Sequence, residues 1–263
     1  MTTVIDGNDR RPFAKSYHCY KMFTVFTFLS ELIMNSNRRE KKRTAALDEI
    51  RSIAWKQIGE LGAASLSLRG IAREMGMTAP ALYRYYEDRD ALVTALLTDA
   101  FTAFSSALEA GRDTCPPDDH PGRFHAMCKA YFTWAIQNPQ RYALLFGTPL
   151  QGYLFAEELG PVAQRSFLVL QGVIGEAHAA GKINGEWAAL RLPVRLTSQY
   201  ESLRKIGMPY TPIVTHLALS VWSMIHGITS LHLQHYLTGF LQTEVEPFVD
   251  FEIKKITLML GFA

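Results

Sequence analysis

The chain has 263 residues, 48% of them apolar and 20% charged, which is enough to bury a core and excludes a chain dominated by disorder. Lys and Arg number 27 against 25 Asp and Glu, so the formal net charge is only +2 and the protein is not a uniformly basic or acidic one. Three cysteines, Cys19, Cys115 and Cys128, are too few and too irregular for a disulfide framework and fit a reducing compartment.

The charge is unevenly placed. Residues 1–100 hold 15 Lys and Arg against 12 Asp and Glu, whereas residues 101–263 hold 12 against 13; within 38–89 the count is 11 to 7. A polyanion would meet the protein at this N-terminal region. Taken alone, the basic run "RREKKR" at 38–43 is equally a solvated face.

At the start of the chain, the apolar run "MFTVFTFLSELIM" (22–34) is shorter than the roughly 20 residues a bilayer span needs. Lys15 and Lys21 precede it as in a signal peptide, yet no small-residue cleavage site follows. Met34, just ahead of the basic run, is a candidate start of translation, so residues 1–37 read as an extension, disordered or not native.

From Arg43 to Gly62 the apolar residues Leu47, Ile50, Ala54, Ile58 and Leu61 recur at helical spacing. Ser67 is a suitable N-cap for a short second helix, "LRGIAREM", whose Leu68, Ile71, Ala72 and Met75 face inward. Gly76 breaks the chain, and Thr78 caps a third helix with Pro80 in its first turn, where no intrahelical hydrogen bond is lost. Asp88 caps a fourth helix running towards Leu108. The segment 110–124, "AGRDTCPPDDHPGRF", with three prolines and two glycines, predicts a loop. Further helices are expected near 123–137, 139–147 and 157–180. Others fall near 186–205 (kinked or restarted at Pro193), 212–238 and 247–260, the last ending at Gly261. No alternating strand is evident, so the predicted fold is all-α.

The second and third helices have the dimensions of a helix-turn-helix, which holds its third helix proud of the surface to enter a DNA major groove. Thr78, Ala79, Pro80 and Ala81 would form the entering turn, small enough for close approach. Tyr83 would lay its ring on the groove wall and donate its hydroxyl to a phosphate. The amides at helix starts, including the one capped by Ser67, can bind phosphates. Arg69, Arg84 and the arm residues Lys42 and Arg43 complete the expected DNA-facing set.

The stretch "SLSLRGIAREMGMTAPALYRYYEDRDALV" (65–93) resembles the TetR family of transcriptional regulators. The matching positions are Ser67, Ile71-Ala72, Gly76-Met77, Thr78, Leu82-Tyr83, Tyr86 and Arg89. The resemblance implies that Tyr83 faces DNA, that Tyr86 is a core ring and that Arg89 contacts a phosphate; Tyr85 has no assigned role. Gly70 stands where the family often carries an acid, so a reciprocal capping box is missing. Arg89 stands where lysine is more usual.

"WSMIHGITSLHL" (222–233) resembles the Trp-His-Gly signature of a TetR-type C-terminal domain. In that family the last two long helices commonly form the interface of a homodimer. Trp222, His226, Gly227, Phe251 and Leu258 are the candidates for it here, and a dimer would read a pseudo-palindromic operator in double-stranded DNA. The ring-rich middle helices suggest an ordinary core or, collectively, a pocket for a small-molecule effector. Phe104, His125, Phe132, Tyr142, Phe146, Gln171 and His178 are its candidate residues.

Catalytic and metal chemistry find little support. Cys115, His120, His125 and Cys128 lack a tight ligand spacing, and His226, His232 and His235 do not converge at about 100° per residue. No nucleophile elbow or phosphate-cradling loop is present, so no catalytic residue, metal or cofactor is expected. The expectation is therefore a cytoplasmic, nucleoid-associated regulator without membrane contact. Residues 38–90 would form the helix-turn-helix domain and 91–263 a helical effector-binding and dimerisation domain. It would be a repressor released by a small hydrophobic molecule. The alternatives are an effector-independent or activating DNA binder, or an all-helical enzyme binding a metal or hydrophobe.

Overall fold

A computed structural model describes residues 13–185, 187, 190–205 and 207–262, with side chains at residue 34 and from residue 36 onward. Regular structure among these residues is helical, apart from one isolated bridge between Ile183 and Phe262. The helices are α1 (Phe13–Leu61), α2 (Leu68–Glu74), α3 (Ala79–Leu82), α4 (Arg89–Arg112), α5 (His120–Gln137) and α6 (Pro139–Phe146). They continue with α7 (Leu159–Ala179), α8 (Val194–Arg204), α9 (Pro212–Leu233), α10 (Thr238–Leu241) and α11 (Val245–Leu260).

The chain divides into two compact units, residues 1–54 and 55–263. The first is the greater part of α1, which begins at Phe13 and not near Arg43 as its apolar spacing suggested. Residues 1–12 of the expected extension lie outside the described residues. Ile50 and Ala54 are buried, in keeping with the inward face read from the sequence. Leu61, expected on that face, is exposed in the second unit because the helix ends there.

In the second unit, α4, α5 and α7 pack on one another and are closed by α9 and α11. Phe104, Phe124, Ile174, Ile253 and Ile256 are fully buried at its centre. By length and composition α4 and α9 could each cross a membrane; here their apolar faces are buried within this helical unit.

The expected loop at 110–124 is shorter than its composition suggested. α4 runs on to Arg112 and α5 begins at His120, leaving only 113–119 between them. Pro121 falls in the first turn of α5, where its missing N–H costs nothing, and the Asp119 side chain caps that turn by accepting from the Gly122 N–H at 2.9 Å. Pro193 does restart the chain: it is the residue before α8. The long helix expected over 212–238 stops at Leu233, where His235 adopts φ 62°, and a separate short α10 follows. α11 ends as expected at Gly261, with φ 71°. A Cβ there would clash with the Gly185 backbone, so both the backbone angle and the close approach require glycine.

Candidate nucleic-acid interface and effector cavity

The helix-turn-helix is assembled by local hydrogen bonding. Leu68, Ile71 and Ala72 of α2 are buried, while Met75 is partly so. Gly76, at φ 65°, closes α2: its N–H donates to the Arg73 carbonyl at 3.2 Å and the Met77 N–H to the Ala72 carbonyl at 2.8 Å. This paired pattern satisfies carbonyls that a helix end otherwise leaves open, and it needs a left-handed residue at Gly76. At the other end of α2, Ser67 Oγ accepts from the Gly70 N–H at 3.3 Å.

The reciprocal half of this cap comes from elsewhere in the chain. Gly70 occupies the third helical position and cannot reach back to the Ser67 N–H. Gln57, from the end of α1, does so instead: its Oε1 accepts from the Ser67 N–H at 3.4 Å. A Cβ on Gly70 would come within 3.1 Å of Gln57 Nε2, so the absent side chain leaves the space that Gln57 uses.

α3 is one turn long and begins with Ala79-Pro80. Thr78 sits at its N-cap position, but its hydroxyl makes no capping bond, unlike those expected and found at Ser67 and Asp88. Leu82 is fully buried and anchors the turn. Tyr83, just past the helix, is 45% exposed, whereas Tyr86 is 7% exposed. Ser67, Arg69, Thr78, Pro80 and Arg84 are also exposed, and Ala79 and Ala81 partly so. Arg89 is partly engaged within the chain: its Nη2 donates to the Ala63 carbonyl at 3.2 Å, joining the start of α4 to the turn after α1. In the first unit, Lys42 and Arg43 are solvent-exposed.

Deeper in the second unit a cavity of about 380 Å³ opens between α4, α5, α7 and α9. α4 contributes Phe101, Phe104 and Leu108, spaced three and four residues apart on one face; α9 contributes Thr215, Leu219 and Trp222 in the same way. Phe146 from α6 and Phe155 from the following loop complete an aromatic wall, with Phe104 and Phe146 centroids 5.6 Å apart. Among the described residues no Lys, Arg, His, Asp or Glu lines the cavity. Its two titratable lining groups are held neutral, since burial raises both the Cys128 thiol and the Tyr131 hydroxyl above their ordinary pKa ranges.

Behind this wall the hydroxyl of Tyr142 lies 2.8 Å from His226 Nδ1, and that of Tyr131 lies 3.2 Å from both. Burial lowers the His226 pKa, which favours the neutral imidazole whose ring nitrogen accepts from a tyrosine.

Residues 50–96 match the family of bacterial regulatory proteins named for tetR, and residues 124–256 match the tetracyclin repressor-like C-terminal domain. The HTH-type transcriptional regulator Rv1816 of Mycobacterium tuberculosis is 34% identical over 206 residues, covering 74% of this chain and 85% of that protein. The chain belongs to the TetR family. The HTH-type transcriptional regulator Mb1846 of Mycobacterium bovis matches to the same extent, at 34% identity over 74% of this chain and 85% of its own. Among solved structures, the regulatory protein SCO4313 superposes with a TM-score of 0.68 at 32% identity, covering 82% of this chain and 97% of its own. A Rhodococcus sp. RHA1 protein shares the fold with a TM-score of 0.63 at 24% identity, over 82% of this chain and 95% of its own. This TetR-family chain is thus a DNA-binding transcriptional regulator and not an enzyme.

The residues expected to line an effector pocket in this regulator are only partly brought together. Phe104 and Phe146 line the cavity. Tyr142 stands behind the wall with His226, and Gln171 reaches the cavity only through Thr215, to which its Nε2 donates at 3.0 Å. Phe132 instead packs on His232 with centroids 5.4 Å apart. His125 lies 3.9 Å from Asp250 on α11, and His178 packs near Trp187. None of these three lines this cavity, and the cause is common: each is on a helix that borders it but on a face turned to another neighbour.

The expected dimer residues divide similarly. Trp222 and His226 share a helix face, as their spacing required, with centroids 5.6 Å apart. That face turns inward, so both rings meet partners in their own chain, including Phe146. Gly227 leaves open space where a Cβ would stand, and Phe251 and Leu258 are 66% and 77% exposed. Among the described residues no group of three or more His, Cys, Asp or Glu side chains is placed to hold a metal ion.

Proposed function

We propose that this regulator is a homodimeric repressor that leaves its operator when a small hydrophobic molecule enters the cavity. The observation that carries the reading is α4. It starts against the helix-turn-helix, through Arg89 and the carbonyl of Ala63, and lines the cavity with Phe101, Phe104 and Leu108. A molecule that favours one setting of this helix shifts the population between DNA-competent and DNA-incompetent spacings; one that binds both settings equally does nothing.

A second route supports the same coupling. The Tyr153 hydroxyl lies 2.9 Å from Thr94 Oγ1 near the start of α4, and Phe155, two residues on, lines the cavity. The exposed rings and chains of Phe251 and Leu258, seven residues apart on α11, support a dimer built on that helix. The proposed division is a DNA-binding part over 38–90 and an effector-binding and dimerising part over 91–263, acting in the cytoplasm at the nucleoid.

At the DNA, Thr78, Ala79, Pro80, Ala81, Tyr83 and Arg84 would approach the groove, with Lys42, Arg43, Ser67, Arg69 and Arg89 nearer the phosphates. The test is selection of genomic fragments by the purified chain, followed by titration of the selected duplex with hydrophobic compounds. A pseudo-palindromic fragment whose affinity falls when a compound occupies the cavity supports the reading. Retention of full DNA affinity by a protein with a filled cavity would overturn it.

A further inference from the structure

Polar groups on the cavity wall are few. Ser166 donates to the Ala163 carbonyl at 3.0 Å, and the Tyr131 hydroxyl meets Tyr142 and His226. At Thr215 and the Gln171 behind it, by contrast, polarity is buried and incompletely used. Gln171 is fully buried, with its Nε2 donating to Thr215 Oγ1 and its Oε1 without a partner. Turning the amide over does not remove the difficulty, because Oε1 would then meet Thr215 and Nε2 would be stranded. A buried polar atom left unpaired is costly, so such a pair beside an apolar core needs a reason. Thr215, itself 1% exposed, is the member that lines the cavity. With Nε2 facing Thr215, the hydroxyl oxygen accepts from Gln171, which leaves its own hydrogen to donate.

We propose that the cavity takes an uncharged aromatic or conjugated molecule bearing one hydrogen-bond acceptor, which Thr215, held by Gln171, anchors. This rests on the effector-responsive reading above. The aromatic part would lie against Phe104, Phe146 and Trp222, whose rings form one continuous series with centroid separations of 5.6 and 6.3 Å. Charge is selected against because, among the described residues, no cationic or anionic side chain lines the walls to offset the desolvation of an ionised ligand. Carboxylates and phosphorylated or thioester-linked nucleotides are thereby disfavoured, while ketones, quinones, lactones and aryl ethers are accepted.

Three probes of one shape test this: acetylnaphthalene, ethylnaphthalene and naphthoate, titrated calorimetrically into the full chain. The ketone should bind about tenfold more tightly than the other two, the scale of one buried hydrogen bond. Thr215→Val should erase the ketone's advantage over the ethyl compound and leave ethyl binding within about twofold. The double variant Thr215→Val, Gln171→Leu guards against misfolding, since it removes both polar partners, and should behave in the same way. Equal binding of naphthoate, an undiminished ketone preference in both variants, or no binding by any probe would overturn the proposal. Parallel titration of the selected duplex separates the two readings. Probes that bind with these preferences yet leave DNA affinity unchanged refute release alone; release by a different molecule, with no probe bound, refutes the ligand class alone.

Discussion

The guanidinium of Arg141 lies over the indole of Trp55, 5.1 Å from the ring centroid, and so ties α6 to the end of α1. The neighbouring Gln140 side chain packs beside Gly59 at the same junction. Five residues along α6 from Arg141, Phe146 lines the cavity. One short helix therefore touches both the scaffold of the helix-turn-helix and the proposed effector site. Arg141→Ala should leave probe binding within about twofold. The fall in DNA affinity on cavity filling should shrink about threefold, matching a cation–π contact of roughly 0.5–1 kcal/mol. Duplex titrations with and without acetylnaphthalene read this directly; unchanged coupling would remove α6 from the route.

The two tyrosines after α3 should separate DNA binding from stability. Tyr83→Ala should weaken operator binding at least tenfold with little change in Tm, because its ring is exposed. Tyr86→Ala should cost about 3–5 kcal/mol, the usual range for deleting a buried aromatic ring. Denaturant unfolding beside duplex titration distinguishes the two, and a stable Tyr86→Ala protein with lost DNA binding would mean the roles are reversed.

Gln57 should behave as the missing half of the α2 cap. Gln57→Ala should destabilise by about 1 kcal/mol, as loss of a capping interaction does. Gly70→Glu should be more stabilising in the Gln57→Ala background than in the parent, because it restores the reciprocal bond without displacing Gln57. A double-mutant cycle by denaturant unfolding measures this difference; additivity of the two changes would show that the positions do not share the cap.

His226 should make stability fall on acidification. Burial lowers its folded-state pKa below 6.5, so the unfolded chain binds its proton first as pH falls. The stability that His226 contributes is whole above 6.5 and is lost as pH drops through the lower folded value, where protonation also removes the acceptor facing Tyr142. Tm should therefore drop less steeply between about pH 7.5 and pH 5 in His226→Gln than in the parent. His232, also lowered by burial and by His235, contributes slope of the same sign in both proteins. Parallel Tm profiles for the two proteins would exclude His226 as a source of the effect.

Phe251 and Leu258 should report on assembly. Replacing both by Glu places charge on the proposed interface and should convert dimer to monomer, seen by light scattering, with operator affinity reduced more than tenfold, since each half-site then binds alone. A variant that remains dimeric would move the interface off this face of α11.

Much of the N-terminal organisation was legible in the sequence because its determinants are local. Ser67, Gly76 and Asp88 act on backbone groups within a few residues, and the order of caps, small residues and rings specifies a helix-turn-helix without reference to distant partners. The all-helical fold was legible for the same reason, from apolar recurrence at helical spacing. Proline was the exception. Pro121 marked a loop by composition but starts a helix, since the same fixed φ suits both and only the adjacent Asp119 cap separates them.

What the sequence could not order was which apolar stripe meets which. The lining residues of α4, α7 and α9 are stripes such as 101, 104 and 108 or 215, 219 and 222, and each was present in the sequence as an ordinary core pattern. A stripe fills space or borders a cavity according to the distance and rotation of its neighbours, and those are properties of packing between residues far apart in the chain. Trp222 and His226 shared a face by spacing alone, but only the tertiary structure turned that face to Phe146 and Tyr142 within the same chain. The starts of α2 and α4 and the turn at Gly76 were thus determined by sequence through short-range hydrogen bonds. The cavity, its neutrality and the unpaired Oε1 of Gln171 arose from long-range packing, which no local pattern encodes.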